Sequence, residues 1–314
     1  KVNVDQKSLA IYGQGLFSIS AKTTATLGWR TQRVRLNGRD SYDSGASGAF
    51  GSAAEDYNNT VQENSYELGF KHLFNDSWNV FGRVGRSVRF ARIEEVYESH
   101  PVTFAPQFDG LKPQTSQDIE IGVGYRNNRF GANIAIFHQD LEDEIHLQAI
   151  EGNFHNVNLE DTKHQGVELS FDTQVNSSIL LKANYTYLNA EFTAGDNDGN
   201  ELPLVPKHTY NISAHVDLPA DFKSAVSWNY VSDTYFGNDF ANTFGKKIPS
   251  YQTVDLKLSK RVAALELALQ VNNLFNEKYF NAGFSSVFAS TKGNFNSFPL
   301  PERNAYLSVS YTFD

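Results

Sequence analysis

The chain has 314 residues, of which 40% are hydrophobic and 13% aromatic, and its formal net charge at pH 7 is −9. This composition is typical of an ordered chain, and the negative charge argues against a nucleic-acid partner because the phosphates would be repelled. The lack of cysteine excludes disulfides, cysteine-ligated zinc and thiol catalysis, and no stretch approaches the roughly 18 consecutive apolar residues of a membrane-spanning helix.

Strict alternation of apolar and polar residues predicts β-strands with one apolar face. Ile119, Ile121 and Val123 fall on one side of such a strand, and Asp118 and Glu120 fall on the other. The same division recurs in segments 210–218, 254–259 and 265–272. A strand with lipid on one side and water on the other must alternate in this way.

Alternation predicts about thirteen strands in chain order. They are 5–19, 24–36, 65–74, 78–91, 116–126, 129–148, 154–173, 178–192, 207–218, 222–236, 250–260, 263–274 and 303–313. Tight turns alternate with long connections at 37–64, 92–114, 190–206, 237–249 and 275–302. Short connections on one rim and long ones on the other are typical of an outer-membrane barrel, so the predicted fold class is an all-β transmembrane antiparallel β-barrel.

Two further features bear on this fold. The apolar rows of several strands end in aromatic residues, which predicts an aromatic girdle at the membrane interface; these residues are Tyr185, Tyr187, Trp228 and Tyr230.

Bacterial single-chain barrels have an even number of strands, so an odd count predicts that further strands precede residue 1. A soluble propeller or sandwich is the all-β alternative, but no repeat is visible and several strands are too long for it.

Five segments in the family's order resemble the TonB-dependent receptors of the bacterial outer membrane, and a sixth resembles the last strand of outer-membrane proteins in general. Residues 271–279 (VNNLFNEKY) resemble the family's NLFN-x-x-Y segment, and residues 305–313 resemble the amphipathic last strand of outer-membrane proteins. The other matches are 85–97 to FRAP…ELY, 111–116 to LKPE-x-S, 166–169 to GVEL and 202–208 to LP-x-x-P-x-H. The order of the motifs makes the resemblance more specific than any one of them.

The resemblance implies a fold, a place and a function. Members of the family have a 22-stranded barrel with a plug, so residues 1–314 are expected to be the C-terminal portion of the barrel domain, without the plug. The expected function is outer-membrane import of a ferric siderophore, energised by the TonB-ExbB-ExbD complex, in contact with outer-membrane lipid and lipopolysaccharide. Haem, cobalamin or another metal chelate is the alternative cargo, and a plugless porin-like or structural barrel fragment is the alternative class.

No catalytic motif such as GxSxG, HExxH or a P-loop is present, so an enzyme is not expected. Ligand-binding candidates lie in the long connections instead. Arg89, Arg92 and Lys207 are cations that suit a negatively charged chelate, and solvated charge at the rim is the alternative role for each. Aromatic faces are offered by Tyr235, Phe236, Phe240, Phe244, Phe284, Phe288 and Phe298. Packing between loops is the alternative role for each aromatic ring.

Three histidines are candidate metal or haem ligands. His100 lies between the FRAP-like and LKPE-like segments, where haem-importing members of the family tend to carry a haem-ligating histidine. A structural or incidental role is the alternative for His100. His146 and His155 flank a predicted hairpin tip at residues 151–152 and are expected nearly to face each other, which suits a transition metal only with a further ligand. No tightly bound cofactor is expected, and the transported ligand is a ferric chelate or haem.

Overall fold

The computed structural model describes residues 2–40, 56–99, 106–108, 110–150, 153–286 and 292–313, and these are almost entirely β. Their strands are β1 (Val2–Ser20), β2 (Thr23–Asp40), β3 (Asp56–Leu73), β4 (Trp78–Arg89), β5 (Tyr97–Ser99), β6 (Pro106–Phe108), β7 (Gln114–Arg126), β8 (Phe130–Glu142), β9 (Ile145–Ile150), β10 (Asn153–Asn158), β11 (Thr162–Asn176), β12 (Ile179–Phe192), β13 (His208–Leu218), β14 (Phe222–Val231), β15 (Thr234–Tyr235), β16 (Lys247–Ile248), β17 (Tyr251–Val262), β18 (Leu265–Asn272), β19 (Phe280–Ser285), β20 (Phe295–Pro299) and β21 (Asn304–Tyr311). A single α-helical turn, α1 (Ile93–Val96), and a 3-10 turn, Gly195–Asn197, lie between strands. No helix among the described residues is long and apolar enough to cross a membrane.

Thirteen of these strands form one antiparallel sheet. Its order is β1-β2-β3-β4-β7-β8-β11-β12-β13-β14-β17-β18-β21, so each strand pairs with the next one of the set along the chain. Four two-stranded hairpins, β5–β6, β9–β10, β15–β16 and β19–β20, lie in the connections. The thirteen strands predicted from alternation are the thirteen strands of the large sheet.

Several predicted boundaries were wrong for identifiable reasons. Predicted strands 129–148 and 154–173 each divide in two, because Asp143 has a φ of 56° and β9 and β10 pair with each other apart from the large sheet. Predicted strand 222–236 ends at Val231, and Thr234–Tyr235 form the separate short strand β15, which pairs with β16. Strand β3 begins nine residues before its predicted start, because Tyr57 and Val61 are too few apolar residues there to give a clear alternating signal, while backbone pairing with β2 continues.

Short turns join the strands at one rim of the sheet. Asn75 Oδ1 accepts hydrogen bonds from the backbone N–H groups of Ser77 and Trp78, both at 2.9 Å. Asn127 Oδ1 accepts from those of Arg129 at 2.9 Å and Phe130 at 2.8 Å. Asparagine side chains that bond to their own backbone favour tight turns. We call this the short-turn rim and the opposite one the long-loop rim.

The outward face of the sheet is an apolar band. Ile121 pairs across the ladder with Ile136, and these side chains are 47% and 53% exposed. Such exposure of large apolar side chains in register is expected where lipid rather than water covers the face. Polar and charged residues occupy the alternate positions, which point inward.

Aromatic rows border the band at both edges, and the row towards the long-loop rim contains the residues predicted to form a girdle. Tyr185 stacks on Tyr210 with ring centroids 4.8 Å apart, and Tyr210 lies 5.5 Å from Tyr230, towards the long-loop rim. At the short-turn rim a second row contains Trp78, Tyr125, Phe130 and Phe171, with successive centroids 4.8, 5.7 and 4.9 Å apart. Two aromatic girdles around an apolar band are the pattern of an outer-membrane barrel wall.

Two buried clusters lie towards the long-loop rim. In the first, Val34 and Leu36 on the inward face of β2 pack against Ala91, Val96 and Leu111, so the segment containing α1 folds against the inner wall. The second contains Ala190, Phe192, Leu202 and Phe240. These clusters anchor the long connections to the ends of the strands.

Candidate functional site

Three long connections pack together beyond the long-loop rim. We call the described residues of segments 193–207, 232–250 and 273–303 the outer loop layer. Phe236 is 1% exposed and lies at the centre of one part of it, with ring centroids 4.6 Å from Phe295, 5.4 Å from Phe244 and 6.3 Å from Phe280. Aromatic pairs at these separations stabilise beyond their buried area. The layer is therefore held by its own core.

A second aromatic contact joins the layer to the strands. Phe240 is 8% exposed, and its ring lies 5.9 Å from that of Phe192 at the end of β12 and 5.4 Å from that of His146 in β9. Direct contact of Phe236 or Phe240 with a ligand thus requires the surrounding loops to move apart. That contact stays a prediction.

Backbone hydrogen bonds between distant segments reinforce the layer. The N–H of Gly237 donates to the carbonyl of Gly283 at 2.9 Å, and the N–H of Ser285 donates to the carbonyl of Gly237 at 3.0 Å. Asn242, with a φ of 55°, bonds both the N–H and the carbonyl of Glu201, at 2.8 and 3.0 Å. The segments around residues 201, 240 and 284 therefore form one connected surface.

The predicted cations each have a carboxylate partner. Arg89, at the end of β4, pairs with Glu95 of α1. Arg92, at the N-terminus of α1 and 72% exposed, lies 3.8 Å from Glu94. Lys207 Nζ lies 2.8 Å from Glu201 Oε1 and remains 38% exposed. A chelate would have to compete with these carboxylates, which is easiest where the pair is exposed.

The remaining aromatic candidates are more accessible. Lys247 Nζ lies 4.3 Å from the ring centroid of half-buried Tyr235 and 3.1 Å from Asp233, so one face of the ring already holds a cation. Phe284 meets Phe298 edge to face at 6.2 Å, and Phe298 is 53% exposed. Both Phe284 and Phe298 offer apolar area to an incoming solute.

The two histidine candidates that the structure describes do not face each other. His100 and Phe288 lie outside the described residues. His146 pairs with Val157 and His155 with Gln148, so the two imidazoles stand two rungs apart on the ladder rather than opposite each other. The part of the chain that the structure describes contains no group of three His, Cys, Asp or Glu side chains placed to hold a metal ion.

A polar cluster that the sequence did not indicate lies below the β9–β10 hairpin. Glu144 accepts a hydrogen bond from Thr162 Oγ1 at 2.8 Å, and its carboxylate lies 3.6 Å from His164 Nε2. Burial alone raises the pKa of Glu144, but contacts with His164, Thr162 and His146 outweigh it and lower the pKa below its usual value. Its members come from separate elements, so no spacing in the sequence signals them.

The inner wall carries a charge network near mid-height. Arg83 lies 3.4 Å from Glu67, 3.2 Å from Asp118 and 3.7 Å from Glu120. A cavity of about 300 Å³ opens beside it, lined by polar groups that include His164 and Glu168. Further along the wall, amides replace charges, for example where Asn211 Nδ2 donates to Asn229 Oδ1 at 2.6 Å. The inward face thus offers many hydrogen-bonding groups to a polar occupant.

The NLFN-x-x-Y segment forms the turn that leaves β18. Asn273, with a φ of 50°, uses its amide to bond both the N–H and the carbonyl of Glu277, each at 2.8 Å. Asn276 Oδ1 accepts a hydrogen bond from the N–H of Arg303 at 2.9 Å, and the ring centroids of Tyr279 and Tyr251 lie 4.5 Å apart with the rings tilted by 34°. The motif therefore has a structural role at the base of the outer loop layer.

Comparison with known proteins identifies the fold and its relatives. Residues 2–274 match the model of the family described as TonB dependent receptor-like, beta-barrel. The metal-pseudopaline receptor CntO of Pseudomonas aeruginosa is 27% identical over 248 residues, which cover 71% of this chain and 33% of the relative. The probable TonB-dependent siderophore receptor PiuA of Acinetobacter baumannii is 26% identical over 219 residues, covering 65% and 28%.

Solved structures show the same fold. The ferric-catecholate import receptor Fiu from E. coli K12 matches with a TM-score of 0.75 at 20% identity, over 99% of this chain and 45% of that one. The chain thus spans about a third of the length of the curated relatives and under half of this solved receptor. These relatives are named as receptors or importers, and none as an enzyme.

Proposed function

Because the chain belongs to the TonB-dependent receptor β-barrel family, a family of the bacterial outer membrane, we propose that it forms barrel wall and outer loops of an importer for a metal chelate. Residues 1–314 would be a single barrel-wall domain, the C-terminal portion of the receptor. The observation that carries the proposal is the outer loop layer, whose three segments pack into one surface over the polar inner wall. Energy would come from the TonB-ExbB-ExbD complex.

A ferric siderophore is the proposed cargo. Names of relatives support this class, since they include a metal-pseudopaline receptor and a probable siderophore receptor. Lys207, Arg89 and Arg92 would meet the negative charge of the chelate, and Tyr235 and Phe284 its organic part. Haem, cobalamin and other metal chelates are the alternative cargoes, and a plugless porin-like or structural barrel is the alternative class.

The test is chelate binding and uptake by the complete receptor that contains this chain. It is expressed in a strain without its own ferric-chelate receptors and offered radioactive iron as trihydroxamate, tricatecholate or citrate complexes, with haemin as a further arm. We expect saturable uptake of one iron chelate that disappears when TonB is deleted. Passage that is unsaturable and independent of TonB would contradict the proposal and favour the porin-like alternative.

A matched pair of variants locates the binding surface. Lys207→Gln removes an exposed cation at the long-loop rim, whereas Lys223→Gln removes one at the short-turn rim that is also paired, with Asp217 at 3.5 Å. Loss of one charge-assisted contact is expected to weaken chelate binding by about tenfold in the first variant only. Equal affinity in both variants would show that Lys207 does not touch the cargo.

A further inference from the structure

One row of uncharged residues crosses eight neighbouring strands on the inward face, from β4 to β17. Each member stands directly opposite the next in the ladder, so all of them lie on the same face of the sheet. That face is the inward one, because Gly124 and Asn133 alternate with the outward pair Val123 and Ile134. We call this set the amide row; its members are Asn79, Gly124, Asn133, Ser170, Asn184, Asn211, Asn229 and Thr253.

The amide row runs from one rim of the sheet to the other. Asn79 is the second residue of β4, next to a short turn, whereas Thr253 is the third residue of β17, next to segment 232–250 of the outer loop layer. With about 4.8 Å between strands the row is about 34 Å long, and a strand tilt of about 40° makes it descend roughly 22 Å along the barrel axis. The apolar band of such barrels is about 25 Å tall, so the row crosses most of the membrane thickness.

The amides of the row bond to one another and still have hydrogen-bonding capacity. Asn133 Nδ2 donates to Ser170 Oγ at 3.3 Å, and Asn229 Nδ2 donates to Thr253 Oγ1 at 3.4 Å. Asn133 and Asn184 are exposed on the inner wall. An asparagine amide carries two N–H donors and an oxygen that accepts two bonds, so one such contact leaves further groups for a solute.

Gly124 keeps the row continuous between β4 and β8. A Cβ atom at this position would lie 2.6 Å from Asn79 Nδ2 and 2.7 Å from Asn133 Oδ1. Because glycine has no side chain, both amides extend over its backbone, and Asn79 Nδ2 donates to the carbonyl of Gly124 at 3.3 Å. Two amides from β4 and β8 therefore meet above the strand that separates them.

Charged side chains border the row rather than interrupt it. In β11, Glu168 and Asp172 stand two residues to either side of Ser170. Asp172 lies 2.8 Å from Arg126 and directly opposite Lys182, so its charge is compensated beside the row. Hydrogen bonds to charged groups are roughly twice as strong as those between neutral groups, so a solute is held more weakly on the amides than on these borders.

We propose that the amide row is the path along which the organic part of the imported metal chelate passes from the outer loop layer to the short-turn rim. The inference rests on the proposed function, because a solute captured at the long-loop rim has to cross the barrel along its inner wall. Organic chelators of iron present carbonyl, hydroxyl and amide groups, and asparagine both donates to and accepts from such groups. Passage needs sites that bind strongly enough to be entered and weakly enough to be left, which repeated neutral contacts provide.

The experiment separates capture of the chelate from its passage through the complete receptor. The probe is the radioactive iron complex, trihydroxamate, tricatecholate or citrate, that the wild type takes up. Equilibrium binding is measured on cells without TonB, and the maximal uptake rate on cells with it, both corrected for the amount of folded barrel. Combined substitution Asn133→Leu and Asn184→Leu is expected to lower the uptake rate about fivefold or more, while binding stays within about twofold, because two exposed hydrogen-bonding groups of the path are lost.

Two control variants match this change. Gln14→Leu with Gln270→Leu removes two exposed amides from the inward face outside the row, and Gln270 Nε2, like the Asn133 amide, already donates to a neighbouring side chain, here Asn272 Oδ1 at 2.8 Å. This variant should bind and import like the wild type. Asn133→Ser with Asn184→Ser retains hydrogen-bonding groups in the row and should keep about half of the uptake rate or more.

Several results would overturn the assignment. An unchanged uptake rate in the leucine pair of the row would show that passage does not depend on it, and an equal loss in the glutamine pair would indicate general polarity of the wall. Parallel losses of binding and uptake would place the two asparagines in the capture site instead. If the leucine pair fails to fold, Asn184→Leu alone is compared with Asn184→Ser, and equal uptake by these two contradicts the inference.

Failure of this inference and failure of the proposed function give different results. If the wild type imports a chelate and the leucine pair of the row imports it equally fast, the path is wrong and the proposed function stands. If the wild type imports no chelate, the proposed function fails and the path fails with it.

Discussion

Single asparagines fix the backbone at both rims of the sheet. Asn75 and Asn127 close short turns, and Asn273 does so at the long-loop rim, where it is 3% exposed. At Asn273 a positive φ and two strong side-chain hydrogen bonds coincide. Asparagine tolerates this conformation better than other residues with a side chain, because its amide bonds locally.

Replacing Asn273 with alanine should therefore destabilise the protein. The variant loses the bonds to Glu277, buries unpaired backbone groups and places a Cβ in a left-handed conformation, at a cost of about 2–4 kcal/mol. Thermal unfolding in detergent, followed by the mobility shift of the folded barrel on gels, measures this. Asn184→Ala, at an exposed position on the inner wall, is the control and should unfold like the wild type.

We expect the His146 imidazole to make the β9–β10 hairpin sensitive to acid. Burial lowers the pKa of His146 below its ordinary value of 6.5, although nearby Glu144 partly opposes this. A histidine whose pKa is lower in the folded than in the unfolded state binds a proton more weakly when folded, so its protonation favours unfolding. The stability that it contributes is fully present above pH 6.5 and declines as the pH falls below that value.

Hydrogen exchange tests this at the residue level. Amides of β9 and β10 are expected to exchange faster at pH 5 than at pH 7.5, after correction for intrinsic rates, because a charged imidazole against Phe240 is poorly solvated. His146→Gln should weaken the pH dependence. Identical protection of the hairpin at both pH values in the wild-type protein would refute the prediction.

At the scale of elements, the outer loop layer is an assembled unit rather than a set of separate loops. Phe236 contacts the rings of Phe280 and Phe295 in segment 273–303, and Gly237 links to the β19–β20 hairpin through its backbone. Buried aromatic rings contribute most to such small cores. The layer can therefore present the exposed Phe298 and Lys207 at fixed positions.

Phe236→Ala should loosen the layer while leaving the sheet intact. Truncation of a buried phenylalanine costs about 3–5 kcal/mol. We expect this loss to exceed the free energy that keeps the small aromatic core of the layer folded. Limited proteolysis of the receptor in detergent should show new cleavage within 232–250, while the gel shift of the barrel is retained. Phe298→Ala, at a half-exposed ring, is the matched control and should be cleaved no faster than the wild type.

At the scale of the whole molecule, the division between lipid and water organises the sheet. The outward apolar band lies between two aromatic rows, and the inward face holds charges and amides in the alternate positions. Ile134 is 47% exposed near the middle of the band. The cost of a charge on this face depends on its depth in the bilayer.

Arginine substitutions at two depths test the position of the membrane. Ile134→Arg is expected to destabilise the folded barrel by about 2–4 kcal/mol, and Thr31→Arg, above the aromatic row on the same face, by about 0–1 kcal/mol. Urea unfolding in lipid vesicles gives both values. Equal costs at the two positions would place the bilayer elsewhere on the sheet.

The alternating sequence was sufficient to predict the thirteen strands and their two faces. Ile119, Ile121 and Val123 must point to lipid if Asp118 and Glu120 point inward, because side chains of a strand alternate between the two sides. Turn residues such as Asn127 then fix which strands are neighbours. Both rules depend only on residues that are close in sequence. Each strand of the large sheet pairs with the next one along the chain, so the order of strands in the sheet is their order in the sequence.

Only the tertiary structure showed how the residues of the long connections pack and pair. The sequence cannot show that Phe236 and Phe240 are buried, that Arg89 pairs with Glu95, or that β9 and β10 form a separate hairpin, since these depend on contacts between distant segments. The ligand-binding roles of the candidate residues remain predictions for the same reason. Alternation along one strand is read from neighbouring residues, whereas a binding surface is formed by side chains that only the fold brings together.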